Sequence, residues 1–106
     1  MMPPERPNFI VLVPHDPREA CSLAQAARRA GKSESTVRSW CLNHGIGRRV
    51  VGGTWSVSKP ALEMLLDGDQ AALLAYHSGD RSGALVRPYF ERCGLLPKSV
   101  KLNEVV

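Results

Sequence analysis

Seven cations, Arg28, Arg29, Lys32, Arg38, Arg48, Arg49 and Lys59, lie between Ser22 and Lys59 and share that window with a single acid, Glu34. The window carries +6, and the remaining 7 basic and 9 acidic residues leave the rest of the chain at −2 within a total of +4. Clustered guanidinium and ammonium groups suit one task well: they replace the counterions condensed on a polyanion. A solvated basic surface is the alternative that charge alone leaves open. The sulfur and imidazole groups are less concentrated. Cys41 and His44 are three apart, a spacing able to turn two soft ligands toward one metal ion, but Cys21, Cys93, His15 and His77 are scattered. Cys41 is therefore read as a buried structural thiol. Paired carboxylates, a nucleophile elbow, a phosphate loop and an HExxH pattern are all missing from the chain, so neither an enzyme nor a cofactor is expected.

The elements that must position the cations follow from local signals. Residues 1–20 hold five of the eight prolines and predict an extended N-terminal arm, with Asn8 to Val13 able to form a short edge strand. Ser22, with Gln25 three residues on, has the pattern of a capping box. Leu23, Ala26, Ala27 and Ala30 continue as a narrow stripe of small residues, and Gly31 ends the helix. Ser33 caps a second helix with Val37, Trp40 and Cys41 on its apolar side, closed by Asn43-His44-Gly45. Beyond Ile46 the period changes to two. With Gly52-Gly53 as a two-residue turn, Val51 pairs with Thr54, Val50 with Trp55, Arg49 with Ser56 and Arg48 with Val57. That register gives Val50, Trp55 and Val57 to the core and sets Arg49, Val51, Thr54 and Ser56 on the other face. Ser58 and Pro60 start a third helix, with Leu62, Leu65 and Leu66 apolar, and Asp67-Gly68-Asp69 breaks it. A fourth is predicted over 70–77, burying Leu73, Leu74 and Tyr76, and a fifth over roughly 85–93.

A length of 106 residues argues for one domain, with no room for a two-domain enzyme. The longest apolar run, Phe9 to Pro14, is far short of the roughly 20 residues that span a bilayer, and the N-terminus lacks the apolar core of a signal peptide. A cytoplasmic, nucleoid-associated protein with no membrane partner is expected. Three widely spaced cysteines fit reduced thiols.

Helix, glycine turn, helix and glycine-tipped hairpin, in that order, is the plan of a winged helix-turn-helix. Ala27, Gly31, Val37 and Trp40 fall at the spacings such a crossing needs. Ser33 to Trp40, then Gly45-Ile46 and the hairpin from Arg48 to Val57, resemble the DNA-binding module of the MerR-like and phage excisionase families. The resemblance covers about 21–68. MerR regulators carry a long dimerisation helix, whereas the 38 residues after Gly68 are broken by Gly79, Gly83 and Pro88. The chain is thus closer to an excisionase, or recombination directionality factor. The fold class expected is mainly α with a small β-hairpin wing: an arm over 1–20, a winged helix-turn-helix over 21–68 and a helical C-terminal extension over 69–106.

The resemblance implies binding and bending of double-stranded DNA by several cooperating copies. Such a protein directs excision by a tyrosine or serine integrase, regulates transcription, or does both. On the second helix Ser35, Thr36, Arg38, Ser39 and Asn43 would face the major groove, with Arg38 suited to phosphate or guanine and Asn43 to adenine or to a cap. Ser33 and Thr36 lie where a helix start favours phosphate. In the wing, Arg49, Thr54 and the Gly52-Gly53 tip suit a minor groove, with Arg48 a further contact. Arg28, Lys32 and Lys59 are expected phosphate contacts; the alternative is an ordinary surface cation for Lys32 and Lys59, and for Arg28 an aliphatic stem that covers the small core. Trp40 and Trp55 are expected in the core. Two other functions fit parts of the pattern: the DNA-binding small subunit of a phage packaging machine, and a MerR-like thiol- or metal-responsive regulator. Copies would meet through the Phe9 to Val13 strand or the segment from Leu85 to Leu96.

Overall fold

A computed structural model describes residues 11–12, 16–49 and 53–96. Phe9, Ile10 and Val13 of the expected edge strand, and Val50, Val51 and Gly52 of the hairpin, lie outside them. The described residues form five helices and a three-stranded antiparallel sheet.

Local capping chemistry sets the helix bounds. Helix α1 (Leu23–Ala30) opens on a reciprocal box: the Ser22 hydroxyl accepts from the Gln25 amide at 3.0 Å, and the Gln25 side chain accepts from the Ser22 amide at 2.9 Å. Gly31, at φ 70, ends it, and the amides of Gly31 and Lys32 both reach the Ala27 carbonyl, at 2.8 and 3.0 Å. A residue without Cβ enters this left-handed region at no steric cost. Ser33 then caps α2 (Glu34–His44) through the Thr36 amide. Buried Ala26 and Ala27 let α1 lie close against α2, which buries Val37 and Cys41. Ser58 and Pro60 start α3 (Lys59–Asp67), and Asp69 caps α4 (Gln70–His77).

Strands β1 (Ala20–Cys21), β2 (Gly47–Arg49) and β3 (Trp55–Ser58) lie in the order β1-β3-β2. The register differs from expectation by one residue. Gly47 faces Val57, Arg48 faces Ser56 and Arg49 faces Trp55. Arg48 is therefore on the face opposite Trp55 and Val57, and Arg49 shares theirs. Packing explains the choice, because a one-residue slip turns every side chain of a strand over. Val57 is fully buried, and a Cβ on Gly47 would sit 2.7 Å from Cys41 Sγ and 2.6 Å from the Ser56 carbonyl. The expected register would have put Arg48 where only a glycine fits. Strand β1 was not expected; the end of the arm pairs with β3, Ala20 to Ser58 and Cys21 to Val57.

Further departures concern burial. In α3 the buried apolar residues are Ala61, Leu62 and Met64, while Leu65 and Leu66 are half-buried. In α4, Ala72, Leu73 and Tyr76 face inward, and Leu74, a quarter-turn away, is 66% exposed. Helix α5 (Arg87–Arg92) is shorter than the expected 85–93, because Pro88 suits a first turn and Cys93 already leaves helical geometry. Trp40 and Trp55 are half-buried against the core instead of inside it. That core joins Val11 and Leu12 of the arm to Ala26, Val37, Ile46, Val57 and Met64, and onward to Tyr76, Val86 and Phe90.

Candidate nucleic-acid interface

Helix α2 turns Ser35, Arg38, Ser39 and Asn43 outward because Val37 and Cys41 are drawn into the core. Two supports fix this helix. The Gly45 carbonyl, just past its last turn, lies 2.9 Å from His77 Nε2 of α4, so that nitrogen carries the proton and donates. Burial holds the imidazole below its ordinary range, in keeping with a neutral ring. On its inner side, Cys41 sits over Gly47 of β2.

The polar groups at the two ends of α2 serve different purposes. Ser33 Oγ accepts from the Thr36 amide at 3.1 Å and donates to Thr36 Oγ1 at 3.0 Å. Both hydroxyls are thus engaged in capping, and half-buried Thr36 is less outward-facing than expected. Asn43 is not the cap, a role that Gly45 takes; its amide donates to Ser39 Oγ at 3.1 Å, one turn back. Ser39 and Asn43 therefore form one exposed hydrogen-bonding pair.

The cations divide into two sets. Arg18, Arg29, Arg81, Arg87 and Arg92 all hold carboxylates, most closely Arg29 on Glu63 at 2.6 Å and Arg81 on Glu19 at 2.8 Å. Among the described residues, Arg28, Lys32, Arg38, Arg48, Arg49 and Lys59 hold none. Four of these six, Arg28, Lys32, Arg38 and Arg49, are exposed, and they stand on α1, its turn, α2 and β2, which pack in sequence. Arg49 Nε bonds the Gly53 carbonyl at 3.2 Å, holding its side chain along the connection to β3 beside exposed Thr54. Arg48 is half-buried and donates to the Leu12 carbonyl at 3.2 Å, tying the arm to β2.

Lys59 belongs to a different place. It lines a cleft with Cys21, Arg29 and Arg92, a grouping that no spacing in the sequence announces. The partners of Arg29 were also missed, since Glu63 lies 34 residues away. The three thiols are free, and burial pushes Cys41 up to about 12 and Cys93 up to about 11. Cys41 is buried while His44 is exposed, and no cluster of metal-ligating side chains occurs among the described residues. No helix among them is long and apolar enough to cross a membrane. Set beside protein families, curated proteins and solved structures, the chain matches none of them.

Proposed function

We propose that the chain is a sequence-specific double-stranded DNA-binding protein of excisionase type, with α1 and α2 as a helix-turn-helix and β2 and β3 as its wing. One observation carries this reading: among the described residues, the cations outside 28–59, Arg18, Arg81, Arg87 and Arg92, are neutralised by carboxylates, and the exposed ones inside it, Arg29 apart, are not. Unpaired surface charge held on packed elements is available to phosphate at no cost in broken ion pairs. In this arrangement α2 enters the major groove with Arg38 and the Ser39–Asn43 pair toward base edges. Arg28 and Lys32 grip phosphate, and Arg49, Gly52, Gly53 and Thr54 approach the adjacent minor groove. Several copies side by side bend the DNA for an integrase or occupy a promoter.

Fluorescence anisotropy against duplex fragments from flanking DNA tests the reading. Four cations brought against the duplex, Arg28, Lys32, Arg38 and Arg49, predict a slope of log K on log salt of about −3 to −4. Arg38→Ala should flatten that slope by about 1 and weaken a specific site by about 1–3 kcal/mol. Arg29→Ala should change stability and leave the slope alone. Affinity indifferent to salt, or unaltered by Arg38→Ala, would sink the proposal.

A further inference from the structure

The cleft beside Lys59 has a composition that DNA binding does not account for. It has a volume of about 370 Å³ and lies where β1, α1, α3 and α5 meet, a size within the range of small-molecule sites. Leu62 and the thiols of Cys21 and Cys93 give it an apolar lining. Burial raises both thiols above their ordinary range, so at neutral pH they are uncharged, soft surfaces suited to an aromatic ring. On the charged side, Glu63 binds Arg29 at 2.6 Å and Arg92 at 3.2 Å, and Asp67 takes Arg92 again at 3.1 Å. These two carboxylates balance the two arginines. The charge left over is that of Lys59, whose ammonium has no partner among the described residues.

The position of Lys59 is unfavourable for the fold itself. It is the first residue of α3, where the helix field is positive and a cation is destabilising. We infer that this cleft binds a small carboxylate with an aromatic body, the carboxylate on Lys59 and the ring over Leu62, Cys21 and Cys93. A monoanion matches the single uncompensated charge. The apolar lining rejects a compact inorganic anion. The site stands apart from the Arg38 face and does not rest on the DNA-binding proposal.

The full chain is treated with iodoacetamide, and alkylation of Cys21 and Cys93 is followed by peptide mass spectrometry. Two probes are compared, 3-phenylpropionate and its neutral amide. The carboxylate should slow alkylation of both thiols and raise Tm, and the amide should do neither. Lys59→Gln relieves an unfavourable charge and so should fold; it should weaken the probe about tenfold or more, and Lys59→Arg should restore it. Equal protection by the amide would overturn the inference, as would protection that survives Lys59→Gln. Protection by duplex DNA alone would overturn it too, because the cations would then serve a phosphate backbone.

Discussion

Arg29 and Arg38 are the same residue type in the same basic window, and their surroundings give them opposite uses. Arg29 donates through Nε and Nη2 to both oxygens of Glu63, a bidentate grip on a carboxylate that is itself buried. Arg38 stands exposed on α2 with no such partner among the described residues. Cys41 shows the same dependence on surroundings. Burial, then the neighbouring Cys21, pushes its thiol up to about 12. A group whose folded pKa is raised adds stability that is whole below the unfolded value, near 8.5, and is lost as pH climbs toward the folded value. Thermal midpoints should therefore fall from about pH 8 to about pH 11, and Cys41→Ala should flatten that decline. Cys93 and Tyr76, also raised by burial, should keep part of it. An alkaline limb identical in the two proteins would place the titration elsewhere.

At the level of elements, the caps and stops of α1 to α3 were legible from neighbours in sequence, and strand pairing was not. Ser22 with Gln25, Ser33, Ser58 with Pro60, and Gly31 set helix bounds through contacts within about four residues. The hairpin register needed information from α2, which lies earlier in the chain. Gly52-Gly53 suggested a two-residue turn, but burial of Val57 beneath Cys41 and Gly47 sets the strands one residue away from it. Gly47 is the place to test this. Gly47→Ala would press a methyl group against the Ser56 carbonyl and Cys41 Sγ, and overpacking of this kind costs about 1–3 kcal/mol. Urea unfolding should show a lower midpoint at unchanged m value, and Cys41→Ala in the same chain should recover part of the loss by making room. Full stability in the single variant would contradict the observed register.

Across the whole molecule, a buried polar knot joins parts that the sequence presents as arm, module and extension. Tyr76 of α4 gives its single proton to Glu19, 2.5 Å away, and lies 2.8 Å from Ser58 Oγ at the start of α3; Arg81 holds the other Glu19 oxygen at 2.8 Å. Glu19 is 3% exposed and Ser58 is fully buried, so each depends on these partners to replace water. The apolar core crosses the same boundaries, with Tyr76, Val86 and Phe90 in one cluster with Leu62 and Met64. A fragment of residues 21–68 should accordingly show no cooperative melt by far-UV circular dichroism, whereas the full chain should unfold in one transition. A sigmoidal melt of the fragment would make the extension dispensable. By itself, the sequence determined the helices, their caps and the concentration of charge between Arg28 and Lys59, because capping, periodicity and composition act over a few residues. Only the tertiary structure decided which cations are spent on carboxylates, which face Arg48 takes, and that Lys59 joins two thiols in a cleft. For Arg29, Arg81 and Arg92 those outcomes depend on residues 25 to 62 positions apart being brought within hydrogen-bond reach, and for the strands on which register leaves the least volume unfilled.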